Sequence, residues 1–357
     1  MFPKTKDINQ TLRQDITLAV DARLAAFCTE QSLAATAIHP LYGRLWQTTA
    51  RQVLAGGKRL RPYLVALVAQ AYGQEQSPEI IDVAVSWELL HIGLLLHDDI
   101  IDRDYVRHGQ LNVAGQYLDL YRSVADDTQR LHYAHSAALL AGDLLLSAAP
   151  RLIDGCALSE RQKQALRDIL YQATFEVIGG ELLDTEAAII DRTIDLQLIA
   201  QLKTASCSLT GPMLSGAVIA GAPADQQALL RKLGECLGTG FQLVDDLLGV
   251  FGSPQVSGKS GVSDLAEGKC TVVIAEALRL MSPENRATAL KLLNNRSGNG
   301  VERLRSLIAA TTVESLIIER LSTYADQAQQ LIGQLKIDEE DRIRFHDLAT
   351  TLLDRSS

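Results

Sequence analysis

The chain has 357 residues and a formal charge of −9, from 34 Lys+Arg against 43 Asp+Glu. That balance argues against nucleic acid or an anionic membrane as the main partner, because both bind through massed cations. Hydrophobic residues make up 47% and aromatics only 5%, so the core is built from Leu, Ala, Ile and Val, a composition that favours helices.

Ile16, Val20, Leu24 and Phe27 recur at helical spacing and predict a helix over about 15–31, with a short one over 42–54. A glycine turn crowded with cations follows, Gly56-Gly57-Lys58-Arg59-Leu60-Arg61-Pro62; Pro62 suits the first turn of the next helix. Ser77, Pro78 and Glu79 read as N-cap, first position and acidic first turn of a long apolar helix ending near Asp102. Residues 103–133 read as a loop with some helix, and 134–152 as an apolar helix. Residues 159–190 read as a long amphipathic helix interrupted at Gly179-Gly180. Helices over 195–220 and 225–251 come next; the latter aligns Leu230, Leu233, Leu237, Phe241, Val244, Leu248 and Phe251 on one stripe. Residues 252–268 are loop-like, and short helices resume at Thr271. With no period-2 run, no repeat and no composition break, one all-helical domain over 1–357 is expected.

The five cysteines, Cys28, Cys156, Cys207, Cys236 and Cys270, are scattered with no CxxC, which reads as reduced thiols. The N-terminus leads into no apolar signal core, and no run reaches the ~18 apolar residues of a spanning helix. A soluble cytoplasmic protein without a transmembrane segment is expected.

Chemistry concentrates at two acid pairs. Asp98 and Asp102 lie four apart at the end of an apolar run, so a helix presents both on one face. Two carboxylates at an apolar rim need a cation between them, and hard oxygen donors that leave room for water favour Mg²⁺ and a phosphate. Asp245-Asp246 ends a second apolar run in the same way. Lys58, Arg59 and Arg61 in one loop, with Lys259 and Lys269 after glycines in another, suit direct contact with phosphate. Each feature alone is more often a solvated helix end or surface loop. Together they point to two anionic ligands, one held through metal. His97-Asp98 also fits the start of an HD-type phosphohydrolase metal site, but His132 and His135 lie at no matching spacing.

From about residue 45 onward the chain resembles the trans-isoprenyl diphosphate synthases, or polyprenyl synthetases. Gly57-Lys58-Arg59-Leu60-Arg61-Pro62 resembles the family's GGKRxRP, and Asp98-Asp99-Ile100-Ile101-Asp102 its first DDxxD. Lys203-Thr204 is similar to the KT element, Phe241-Gln242-Leu243-Val244-Asp245-Asp246 to FQxxDD, and the 258–271 stretch to GK and DLxEGKxT. The resemblance implies an all-α isoprenoid-synthase-type bundle around a deep central cavity, usually a homodimer. It implies isopentenyl diphosphate and an allylic diphosphate as substrates. Asp98, Asp102 and Asp245 would hold three Mg²⁺ ions on the allylic diphosphate, with Arg107, Lys203, Lys259 and Lys269 contacting it. Lys58, Arg61 and His91 would hold isopentenyl diphosphate. Lys203, Thr204 and Gln242 would lie near the developing allylic cation.

Three positions depart from the family pattern. His108 follows Arg107 where a second Arg is usual, Gly249 replaces the last Asp of the second acid motif, and Glu181 stands for Gln in the GQxxD segment 180–184. In the family, a bulky aromatic four or five residues before the first Asp stops elongation early; here those positions are Leu94 and Gly93. Leu90 and Trp87 lie further down the same helix, Trp87 about 16 Å below the acid rim at helical rise. Trp87 as floor implies geranylgeranyl diphosphate, with twenty carbons; a Trp87 that packs outward implies longer products. A class I terpene cyclase would lack the second diphosphate pocket, and a non-catalytic partner subunit would lose acid residues retained here.

Overall fold

The structure is a computed structural model that describes residues 5–107, 109–123, 126–189, 194–252, 265, 269, 271–294 and 299–354. It divides into two compact units, one comprising Met1–Tyr171 and Pro212–Ala222, the other Gln172–Gly211 and Pro223–Ser357. The described residues are helical almost throughout.

The first unit contains α1 (Thr5–Ile38), α2 (Pro40–Val53), α3 (Leu60–Ala71), α4 (Pro78–Ile101), α5 (Val113–Leu120) and α6 (Asp127–Gly155). Helix α4 starts where its sequence says it should: the Ser77 hydroxyl accepts from Ile80 N and Pro78 occupies the first turn. It is apolar on nearly every side and lies in the core, packed most extensively on α6. Two glycines make that packing close. A Cβ on Gly142 would fall 2.3 Å from His97 Nε2, and one on Gly93 would fall 3.2 Å from Gly142 O and 3.0 Å from Leu146 Cδ2. Residues 103–133, expected as loop with some helix, include an antiparallel hairpin of two-residue strands, β1 (Val106–Arg107) and β2 (Gln110–Leu111), with Arg107 opposite Gln110, then α5 and the first turns of α6, which starts at Asp127 and not at 134. Strands this short carry no alternation to read.

Helix α7 (Glu160–Ile189) runs unbroken through Gly179-Gly180, where an interruption was expected. The reason lies in the second unit: a Cβ on Gly180 would sit 2.7 Å from Lys203 N, so the glycine there permits close approach. The segment expected as one helix over 195–220 is α8 (Leu196–Ala200), a π-helical stretch Gln201–Thr210, and α9 (Gly211–Ile219). Helix α10 (Ala224–Phe251) is the axis of the second unit and packs on the π-helical stretch. Gly234 and Gly238 make the flat strip that receives it: added Cβ atoms would meet Thr210 Cα at 2.7 Å and Ala205 Cα at 2.4 Å. Helices α11 (Val272–Leu280), α12 (Pro283–Asn294), α13 (Gly300–Ala309), α14 (Val313–Gln334) and α15 (Glu339–Leu353) complete the unit. Val250, Ile274, Ile308, Val313 and Ile317 form part of its core.

By length and composition alone α4 and α6 could cross a membrane, but 67% of the most apolar stretch of α4 is buried within the protein. A core helix passes the same test, so no membrane span is shown.

Candidate active site

In the first unit the last turn of α4 presents Asp98, and Asp102 caps the helix, its N–H donating to Asp98 O at 2.8 Å. The exposed carbonyls of a helix C-terminus carry partial negative charge, so this end adds to the attraction for a cation. The middle acid is different. Asp99 is 2% exposed and accepts from Arg107 Nε at 2.9 Å and Nη2 at 2.5 Å. Burial pushes its carboxyl above the usual range, while Arg107 pulls the other way. Arg107 Nη2 also lies 3.6 Å from Asp98 Oδ2, so the expected diphosphate contact rests between two acids here.

Among the described residues no three His, Cys, Asp or Glu side chains converge as a metal site. The two carboxylates of the α4 end nevertheless fit Mg²⁺, which commonly takes one or two carboxylates and fills its shell with water and phosphate oxygens.

Lys58 is exposed at the tip of its turn, and Arg61 and His91 are half-buried. Along α4 away from Asp98, Leu94 is half-buried, Leu90 is 2% exposed and Trp87 is fully buried. Trp87 Nε1 donates to Ser215 Oγ at 2.9 Å. Gly93 faces α6, where it sets the spacing of the two helices.

In the second unit Lys203 lies in the first turn of the π-helical stretch, its Nζ 2.7 Å from Glu181 Oε2 and 2.9 Å from Asp184 Oδ2. Thr204 Oγ1 donates to Gln242 Oε1, Gln242 Nε2 donates to Asp246 Oδ1 at 2.8 Å, and Asp246 Oδ2 accepts from Val272 N at 3.2 Å. Asp246 is 5% exposed, whereas Asp245 is exposed. The two acid pairs thus repeat one arrangement, with one carboxylate turned out and its neighbour tied inside. Successive helical residues point ~100° apart, so a neighbouring pair cannot both share a face. Position 249, four on from Asp245, is glycine, so this end offers one outward acid where α4 offers Asp98 and Asp102. Lys269 is half-buried; His108 and Lys259 lie outside the described residues. Sequence reasoning did not foresee Glu181 and Asp184 as partners of Lys203. Their i, i+3 spacing on α7 was the available signal.

These features define an all-α protein with outward carboxylates at the end of α4 and on α10 and a cationic turn before α3, a class suited to phosphate-bearing ligands. Residues 44–311 match the polyprenyl synthetase family, and the chain belongs to it. As a member it is a prenyltransferase. It is 30% identical to the geranylfarnesyl diphosphate synthase of Aeropyrum pernix over 87% of this chain and 93% of that one. It is 31% identical to the (2E,6E)-farnesyl diphosphate synthase of Mycobacterium tuberculosis, over 84% of this chain and 80% of that one. The geranylgeranyl pyrophosphate synthase of Corynebacterium glutamicum, crystallised with isoprenyl diphosphate and magnesium, superposes with a TM-score of 0.90 at 29% identity. The match covers 96% of this chain and 99% of that one.

Proposed function

We propose that the protein condenses isopentenyl diphosphate head-to-tail with an allylic diphosphate and releases geranylgeranyl diphosphate as its main product. The observation that carries the reading is the pair of outward carboxylates, Asp98 and Asp102, at the mouth of a helix whose exposure falls to nothing at Trp87. In this reading Asp98, Asp102 and Asp245 hold three Mg²⁺ ions; bound there, the ions neutralise the diphosphate and make it a better leaving group. Arg107, Lys203, Lys259 and Lys269 contact the same diphosphate. Lys58, Arg61 and His91 hold isopentenyl diphosphate, with His108 beside them.

The allylic C–O bond breaks, and the double bond of isopentenyl diphosphate attacks the cation to form the new C–C bond. A proton then leaves the adduct for the released diphosphate, so no side-chain nucleophile takes part. The Lys203 carbonyl oxygen, Thr204 Oγ1 and Gln242 Oε1 stabilise the developing cation with the negative ends of their dipoles. The bonds from Gln242 to Thr204 and Asp246 hold that amide in one orientation. Glu181 and Asp184 fix the Lys203 ammonium.

We further propose one synthase domain that works as a soluble cytoplasmic homodimer. Tyr171, Phe175, Ile178 and Leu182 of α7 are 58–70% exposed at helical spacing, an apolar stripe that a second copy would cover. The test of the site is Asp98→Asn and Asp245→Asn in a condensation assay. Each lowers kcat at least about a hundredfold if its carboxylate holds the leaving diphosphate. Wild-type turnover in either folded variant excludes that residue from the role.

A further inference from the structure

Arg59 stands between Lys58 and Arg61 in sequence, yet its side chain turns the opposite way and is 2% exposed. Nη1 donates to Glu88 Oε1 at 2.7 Å, Nε to Asp21 Oδ1 at 2.9 Å, and Nη2 to Val53 O at 3.0 Å. It does this from a left-handed backbone with φ 44°, which an L side chain adopts only when its surroundings enforce it. Gly56 and Gly57 before it also have positive φ, 87° and 141°. The cationic turn therefore consists of residues with little intrinsic preference for one path, closed by a single buried guanidinium. A second tie holds the tip: Arg13 Nη2 donates to Lys58 O at 3.2 Å, and the Arg13 guanidinium lies 5.7 Å from the Tyr63 ring centroid.

Asp21 and Arg13 both belong to α1, which precedes the residues that match the family. Glu88 belongs to α4, one turn before His91. We propose that Arg59, clamped by Asp21 and Glu88, is a positioning residue that sets the cationic turn for isopentenyl diphosphate, and that α1 thereby belongs to the binding apparatus for that substrate. The inference rests on the reading that Lys58, Arg61 and His91 hold isopentenyl diphosphate.

The physical reasoning separates the two phosphate-bearing residues. Arg61 lies in the first turn of α3 and is carried by the helix. Lys58 is carried by the turn alone, so its ammonium stays near Arg61 only while residues 57–59 keep their dihedrals. Two carboxylates and a carbonyl satisfy the Arg59 fork, and losing one charged acceptor lets the turn sample other paths. Asp21 is the residue to change, because its side chain is 44% exposed and its loss leaves Glu88 paired.

The experiment is steady-state condensation by the full chain with each substrate varied in turn, for wild type, Asp21→Asn, Asp21→Glu, Glu88→Gln and Lys58→Ala. Hydrogen exchange of the 54–60 backbone and melting temperature are measured alongside. Asp21→Asn should raise the isopentenyl diphosphate KM about fivefold to tenfold, the order expected for one charged hydrogen bond, with kcat and the allylic KM little changed. Exchange in the turn should quicken, Glu88→Gln should act in the same direction, and Asp21→Glu should restore most of the affinity. An unchanged isopentenyl KM in both Asp21→Asn and Glu88→Gln, or an equal rise in both substrates' KM, overturns the inference. Lys58→Ala separates the two levels. If it leaves the isopentenyl KM unchanged, the substrate assignment fails and takes the inference with it. If it raises that KM while Asp21→Asn does not, only the positioning role fails.

Discussion

Replacing Trp87 by alanine should lengthen the product. Trp87 lies eleven residues before Asp98, about 16 Å down the helix at 1.5 Å per residue. Exposure along that path closes from half-buried Leu94 through Leu90 to a fully buried Trp87, and the indole is pinned by its bond to Ser215. Truncation removes the whole ring, at a cost of about 3–5 kcal/mol in stability for a buried Trp. The lost hydrogen bond adds about 1 kcal/mol to that cost, since Ser215 is itself buried. Against a typical total of about 5–15 kcal/mol the variant should fold but melt lower, so the assay belongs well below its melting temperature. Trp87→Phe keeps most of the volume and drops only the bond to Ser215. Products from farnesyl diphosphate and labelled isopentenyl diphosphate are then sized by chromatography. Trp87→Ala should extend the main product by at least one five-carbon unit, and Trp87→Phe should not. An unchanged distribution from folded, active Trp87→Ala refutes the floor.

Two further outcomes follow from the second unit. Gly238→Ala would place a Cβ 2.4 Å from Ala205 Cα, so it should destabilise by about 1–3 kcal/mol and disturb the π-helical stretch that carries Lys203 and Thr204; thermal melting and kcat report both effects. The Glu276 carboxyl is partly desolvated, which raises its pKa, but bonds from Arg279 at 2.7 Å and Arg320 at 2.5 Å outweigh that and hold it below the usual range. A depressed carboxylate stabilises the folded state above its unfolded pKa and loses that contribution as pH falls through its folded pKa. The melting advantage of wild type over Glu276→Gln should therefore be full near neutrality and shrink below about pH 4. A pH-independent difference contradicts the assigned ion pairs.

The sequence was most legible where backbone chemistry is local. Ser77 and Pro78 mark the start of α4 and Asp102 its end, and the stripe from Leu230 to Phe251 marks α10. What it hid depends on partners distant in the chain. Gly179-Gly180 reads as a break until Gly180 is seen against the Lys203 backbone. Arg59 reads as one more phosphate cation until Asp21 and Glu88 are seen around it. The π-helical stretch has no periodicity of its own over ten residues, and it sits where Lys203 and Thr204 are presented, as such insertions often do at functional sites. The acid motifs were recognisable, but the division of labour within each pair, Asp98 against Asp99 and Asp245 against Asp246, needed the helix geometry and the inward partners.

The most direct test of the account is a radiolabelled condensation assay on the purified chain. Protein, Mg²⁺ and isopentenyl diphosphate are incubated with dimethylallyl, geranyl or farnesyl diphosphate, and the products are sized. The account predicts Mg²⁺-dependent incorporation that accumulates as a twenty-carbon diphosphate. No incorporation with any of the three primers, in protein shown to be folded, would contradict it.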